Sequence, residues 1–592
     1  MTGMRAAGYH ASMDAATPGS ASVVGSGPEF EVATPPSAAQ PSPVRDGQPN
    51  GHDHRTAQTA VDTGPPVERG GSVAVDDSAD PEGPAFSPVT TVVLATSVAV
   101  VLAFALALRF WTRSDLWLDE ALTVNIARQP LHEIPSFLRR DGAPPLFYVL
   151  LHFWMELFGT SDYAVRSLPG LFGVVTLPLT WLAGRRVGGR KGAWAALLLL
   201  ATSPFAVRYD TETRMYSLVA LLTVLGFLAL DRALRRPRPG NLIAVAALTG
   251  LLLYTHYWSL YLVVTVMVWL AWEAWRGRPE WRRGARASLV AGAAGCLTFL
   301  PWVPAFVYQS AHTGTPWATP ANFAAMVNAI ANFAGGSSDQ GRALGLIFFA
   351  LAGLGLFGMA TDRHHIDLDV RTRPVGRPLA ITIVGTLAAA IAGGFLSRST
   401  FSPRYASVVF IPLLLLVALG LNSLLDRRIR VAVLAVAMGA GLLGSIPNIT
   451  TNRTQARQVS SAIAIHGRPG DVIAYCPDQL GPAVDRLLPA GRYVQTTFPR
   501  GTGPEFVDWA DYAAASKAGS PLTFDDRLKA LAGRHQIFVV WSGGYQTFGV
   551  KCEGVVGILQ DDPAYHATTR VAANGGRFYQ PMSLLQLTPV TP

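Results

Sequence analysis

The chain has 592 residues, half of them hydrophobic and 15% charged, with a mean hydropathy of +0.28. That composition excludes a soluble enzyme of this length and fits a polytopic membrane protein. The formal charge of +9 sits in short basic clusters between apolar runs, which excludes a nucleic-acid-binding stripe and reads as topology signalling, and three cysteines exclude a disulfide scaffold.

Residues 1–87 are rich in Ala, Pro, Ser, Gly and Thr, with Tyr9, Phe30 and Phe86 as their only aromatics. Such a segment cannot bury enough apolar surface to offset chain entropy, so it is expected to be a disordered cytoplasmic tail. It has no basic stretch followed by an early apolar run, so it is not a cleavable signal peptide. From 88 to 446, apolar runs recur between short polar loops. The predicted spans are 88–110, 167–184, 192–207, 215–231, 241–255, 258–275, 287–307, 342–361, 378–397, 405–424 and 429–446, eleven in all.

The basic loops RRVGGRK, DRALRRPRPG, WRGRPEWRRGAR, TDRHHIDLDVRTRPVGR and DRRIR together hold 20 Lys or Arg. The loops alternating with them hold at most two each, so the five basic loops are assigned to the cytoplasm. One further apolar stretch, PPLFYVLLHFWMELFG at 144–159, would invert everything after it if it crossed. It is shorter than the roughly 20 residues a crossing needs and begins with two prolines, so it is read as an interfacial helix inside one external loop, 112–166.

This topology puts Asp119, Glu120, Asp141, Arg166, Arg208, Asp210, Glu212, Arg214, His256, Arg398 and Arg404 on one side of the membrane. Carboxylates, guanidinium groups and a histidine gathered at an external interface suit an anionic substrate. From 447 to 592 the apolar runs shorten. DVIAYC, RYVQTTF, HQIFVVW and SLLQLTPV read as strands, and GPAVDRLLPA and DDRLKALAG as helices, which predicts a small extracytoplasmic α/β domain. Cys476 and Cys552 fall in that domain, where oxidation is permitted, but spacing alone leaves their pairing open.

The ordered set of the Asp119-Glu120 pair, GAPPLFYVLLHFWMELFG, the long DYAVRSLPG…LLLLATSPF run, RYDTETRMYSLVALL, LLYTHYWSLYLV and SPRYASVVFIPLLLLVALGL resembles the GT-C superfamily of integral-membrane glycosyltransferases, in its protein O-mannosyltransferase and aminoarabinose-transferase branch. The resemblance covers about 88–425. It implies an all-α polytopic fold and a sugar donor carried on a polyprenyl phosphate. It also implies transfer from the external leaflet of the plasma membrane to a glycan, lipid or protein acceptor, with inversion. No cofactor is expected, and although His256 with Glu120 or Asp141 could hold a divalent cation, no spacing demands one. The resemblance makes Asp119 the catalytic base and gives Glu120 the orienting of acceptor or neighbours. Arg166, Arg214, Arg404 and His256 become candidates for the donor phosphate, with Tyr405 completing the RY motif. Asp210 and Glu212 stand where related enzymes carry a second acidic position. Two other classes fit the composition: a transporter of a lipid-linked precursor, and a non-catalytic envelope scaffold.

Overall fold

The computed structural model describes residues 86–314, 322–336, 338–397, 402–544 and 547–590. Arg398 and the predicted tail, up to residue 85, lie outside the described residues.

The membrane part opens with α1 (Pro88–Leu108), started by the Ser87 cap on the Thr90 amide and by proline in its first turn. Four short helices and one long one follow: α2 (Leu118–Ala127), α3 (Ile134–Asp141), α4 (Leu146–Phe158), α5 (Asp162–Ala201) and α6 (Pro204–Asp210). Then come α7 (Tyr216–Arg235), α8 (Pro239–Thr255), α9 (Ser259–Arg276), α10 (Pro279–Leu297), α11 (Val303–His312), α12 (Phe323–Phe333) and α13 (Asp339–Phe357). A small hairpin, β1 (Gly358–Ala360) and β2 (Ile366–Leu368), precedes α14 (Arg377–Ser397), α15 (Phe410–Leu421) and α16 (Arg427–Thr450).

Burial sorts these helices by role. Every residue of α15 is buried, and it packs between α5 and α13 as the centre of the bundle. Its sequence, FIPLLLLVALGL, is apolar all round, as a helix with no solvent or lipid face must be. In α1, by contrast, only 11% of the span is buried, so the helix rides on the outside.

Eight helices among the described residues are long and apolar enough to cross a membrane. The difference from the eleven predicted spans has a local cause. Two predicted spans, 167–184 and 192–207, share α5, which breaks at Gly188 and Gly189 and ends at Ala201, before α6. Gly189 has φ +64, a left-handed conformation that costs a glycine little, and Asn422 donates from Nδ2 to the Gly188 carbonyl at 2.8 Å where the helix ladder is interrupted. The other two are α8 and α9, of 17 and 18 residues. The stretch at 144–159 forms the 13-residue α4, about 20 Å long and well short of a bilayer core. It buries Phe147, Tyr148, Leu151 and Met155 and exposes Phe153, Leu157 and Phe158, the two-faced pattern of an interfacial helix.

The C-terminal sheet has the order β4-β3-β5-β7-β6. It is built from β3 (Val472–Cys476), β4 (Val494–Thr497), β5 (Ile537–Trp541), β6 (Tyr565–Val571) and β7 (Ser583–Pro589). The first three pair in parallel, while β7 runs antiparallel to both β5 and β6. The four predicted strands are all present. The sequence reading omitted β6, whose YHATTRV is partly exposed and lacks a clean apolar alternation. Helices α17 (Ala456–His466), α18 (Gly481–Asp485), α19 (Tyr512–Ala518), α20 (Pro521–Ala532) and α21 (Lys551–Gln560) complete the domain. The first of them starts after α16, so the predicted boundary at 446 falls inside that last membrane helix. A disulfide joins Cys476, at the end of β3, to Cys552 in α21.

This domain is docked, not tethered. Asn125 donates to the Glu505 carbonyl at 2.8 Å, the Trp509 amide donates to the Arg140 carbonyl at 3.2 Å, and Phe137 meets Phe506 with ring centroids 4.6 Å apart. At the other side Arg486 pairs with Asp162 at 3.0 Å. The helices it covers, α2 and α3, therefore have a rigid roof.

Candidate active site

Helix α2 has no side-chain cap, and its first turn carries Asp119 and Glu120 on the electropositive end of the helix, where carboxylates are favoured. The Leu118 amide instead donates to Oε1 of Gln580 at 3.3 Å, so the C-terminal domain satisfies this helix start. Adjacent residues on a helix point about 100° apart, and the two carboxylates enter different environments.

Asp119 stays partly open to its surroundings. Arg404 donates from Nη1 to Asp119 Oδ2 at 2.8 Å, with both side chains still partly exposed, at 19% and 15%. Around this pair stand Arg214, which donates to Thr123 Oγ1 at 2.9 Å, and Tyr148, whose hydroxyl donates to Asp141 Oδ2 at 2.8 Å. Burial raises the Asp141 carboxyl, with Arg214 and the Tyr148 hydroxyl pulling the other way. Tyr405 and Tyr216 flank His256, each 5.7 Å from it between ring centroids.

His256 follows α8 directly and is buried. The Trp258 amide donates to its Nδ1 at 3.1 Å, so Nδ1 is an acceptor and the ring proton is on Nε2. Burial, then Arg214 and Arg404, pull the imidazole down to about 3. The ring is therefore expected to show no titration in its NMR shifts between pH 5 and 8. Because the unfolded ring takes a proton near 6.5 and the folded one does not, this residue's contribution to stability is lost as pH falls from 6.5 toward 3.

Glu120 enters a closed layer of charge. Arg166 donates to it twice, from Nε to Oε1 at 2.7 Å and from Nη2 to Oε2 at 2.5 Å, and the Thr213 amide donates at 3.0 Å. Arg453 lies 3.6 Å from Glu120 and 3.8 Å from Glu212, which also holds Arg208 at 3.0 Å. Three guanidinium groups thus surround two carboxylates; Arg166, Arg453 and both carboxylates are buried, while Arg208 is partly exposed. Burial works against ionising Glu120, but Arg166, Arg453 and the Thr213 amide outweigh it and hold its carboxyl at about 2.

These placements redistribute the predicted residues. Asp119, Arg214, His256, Arg404 and Tyr405 come together in one cluster. Glu120, Arg166 and Glu212 form the layer behind it, and Arg166 also donates to the carbonyls of Ser114 and Asp115. Its guanidinium is 5% exposed and its N–H groups are engaged by these partners. Asp210 leaves the site: it pairs with Arg109 Nε at 2.9 Å, under Gly173, where a Cβ would come within 2.2 Å of its carboxyl carbon. Two residues apart at the end of α6, Asp210 and Glu212 point to different neighbours. Of the groups that could hold a divalent cation, Glu120 is engaged by Arg166 and Asp141 by Tyr148. Among the described residues no three His, Cys, Asp or Glu groups gather as metal ligands.

The sequence reading missed Arg453, Tyr148, Tyr216, Tyr579 and Gln580. Arg453 donates from its guanidinium to the Thr211 carbonyl and hydroxyl at 2.9 and 2.8 Å, and its amide donates to Ser114 Oγ, a partner 339 positions away in the chain. Tyr579 packs edge-on against Trp117 at 4.9 Å. No local pattern announces either contact.

Residues 142–304 match the sequence profile of the dolichyl-phosphate-mannose-protein mannosyltransferase family. That segment spans the interfacial helix, α5 with its break, Arg214 and His256. Over that segment the chain is similar to this family. Two solved structures are similar at low identity. ArnT from Cupriavidus metallidurans, bound to undecaprenyl phosphate, is 15% identical with a TM-score of 0.48 over 84% of this chain and 98% of its own. The oligosaccharyltransferase of Archaeoglobus fulgidus, in complex with zinc and sulfate, is 11% identical with a TM-score of 0.44 over 79% and 71%. No curated protein matches the chain in sequence.

Proposed function

We propose that the protein transfers a sugar, mannose or a pentose, from a polyprenyl-phosphate donor to a hydroxyl of an envelope glycan, lipid or protein. The reaction takes place at the extracytoplasmic face of the plasma membrane, with inversion at the anomeric carbon. The observation that carries this reading is the Asp119–Arg404 pair, a carboxylate and a guanidinium in contact with both side chains partly exposed. Asp119 takes the proton of the acceptor hydroxyl as its oxygen bonds to the anomeric carbon. The bond from that carbon to the phosphate oxygen breaks, its electron pair goes to the leaving phosphate, and Arg404 and Arg214 meet the charge. The neutral His256 adds an N–H donor from Nε2. Glu120 and Arg166 act at one remove, by fixing the first turn of α2.

A lipid-borne donor fits a site made from span ends, because it arrives sideways through the bilayer. The family profile, named for a polyprenyl-type phosphate donor, supports the same reading. The disulfide supports an oxidising, extracytoplasmic setting for the C-terminal domain. Purified protein in liposomes is expected to move label from polyprenyl-phosphate-linked mannose or pentose to an envelope acceptor extract, releasing polyprenyl phosphate. No transfer from any lipid-linked donor would overturn the reading. Topology is checked separately. In a Cys296→Ser background, a cysteine at exposed Tyr163 is expected to react with an impermeant maleimide in intact cells, and one at Arg371 only after permeabilisation.

A further inference from the structure

A cavity of about 260 Å³ opens between the end of α1, the start of α5, the Thr211 turn and α17. None of Asp119, Arg214, His256, Arg404 or Tyr405 lines it, so it is distinct from the cluster around Asp119. Four guanidinium groups and two carboxylates face it. Both carboxylates are already engaged, Asp115 by Arg457 and Asp162 by Arg486. Arg109 and Arg166 are spent on Asp210 and Glu120. Arg113 has neither a hydrogen bond nor an ion pair among the described residues, and the Arg457 side chain is 69% exposed, which leaves much of it open beyond its Asp115 contact. Beside them Thr112 Oγ1 is buried with no hydrogen-bond partner among the described residues. The cavity thus carries an uncompensated positive charge and an unused hydroxyl.

Its position supplies the source of the ligand. Tyr163, which lines it, is 68% exposed, Trp111, between the lining residues Phe110 and Thr112 in the chain, is 54% exposed, and α1, which ends there, is the least buried of the candidate spans. Exposed Trp and Tyr at the end of such a helix mark the headgroup level of a bilayer. Arginine forks are matched to phosphate oxygens, and a hydroxyl can complete the coordination.

We propose that this cavity binds the phosphate of an anionic phospholipid headgroup from the leaflet facing the site, with Arg113, Arg457 and Thr112 as its ligands. The site is independent of the transferase reading, and the test keeps the two apart. Purified full-length protein is titrated with short-chain phosphatidylglycerol, phosphatidylcholine and inorganic phosphate, with binding read by native mass spectrometry. Wild type and Asp119→Asn are expected to bind phosphatidylglycerol equally, at least about tenfold more tightly than phosphatidylcholine. Arg113→Gln, a change to an exposed side chain, is expected to lose that preference without changing the ligand-free melting temperature, and Arg457→Lys to weaken it. Equal binding of the two lipids, or an Arg113→Gln protein that keeps the preference, would overturn the proposal. So would inorganic phosphate displacing phosphatidylglycerol at equal concentration, since the ligand would then be a free anion.

Discussion

Asp119→Asn is expected to lower the turnover of sugar transfer by on the order of 10²–10⁴-fold, the usual contribution of a positioned general base, while donor KM changes little. The substitution keeps the shape and one carbonyl oxygen for Arg404, so the cluster is preserved and only the proton acceptor is lost. Arg404→Ala should behave differently. It removes the cation for the leaving phosphate, so both turnover and donor KM suffer, and Arg404→Lys restores only part because a point charge replaces a planar fork. The 2.8 Å contact holds the arginine on the carboxylate. A donor phosphate competes for the same N–H groups, so donor binding frees the base, and kinetics with donor bound first are expected. Steady-state rates with purified protein and a defined lipid-linked donor check all of this. Wild-type turnover in Asp119→Asn would remove the base from Asp119.

How much of this arrangement was readable beforehand follows from the range of the interactions. Helix spans and the sheet strands are written in local apolar runs, and the short α4 declared itself through its length and its two prolines. The Asp119–Arg404 contact was reachable only because charge asymmetry of the loops put both on one side; the 285 positions between them say nothing about it. The division of labour inside the acidic doublet was not reachable. Which of two neighbouring carboxylates meets water depends on where Arg166 enters from α5, and on Arg453, which the chain delivers only after its last membrane helix. The same holds for Asp210, whose partner Arg109 also donates to the Ala105, Ala201 and Leu200 carbonyls at the ends of α1 and α5. Buried ion pairs of this kind are tertiary facts.

That dependence makes Glu120 the second position where a large effect is expected. Glu120→Gln leaves volume and one acceptor oxygen in place but removes one of two negative charges facing three guanidinium groups, two of them buried. Breaking a buried pair by neutralising one partner costs about 3–5 kcal/mol, so the variant should unfold at markedly lower temperature or denaturant concentration. Its activity at low temperature should fall less than in Asp119→Asn, since Asp119 keeps its own contacts. A pH signature separates this from a general packing defect. With the folded carboxyl at about 2 and the unfolded one near 4.5, the stabilisation is complete above 4.5 and is lost as pH falls toward 2. The corresponding amount is on the order of 3 kcal/mol, and Glu120→Gln should flatten that part of the acid-unfolding curve. Removing both partners, Glu120→Gln with Arg166→Met, should be less harmful than Glu120→Gln alone, because no buried charge of that pair is then left uncompensated. A Glu120→Gln protein that melts like wild type, with its acid limb unchanged, would show that the closed layer of charge does not hold α2 in place.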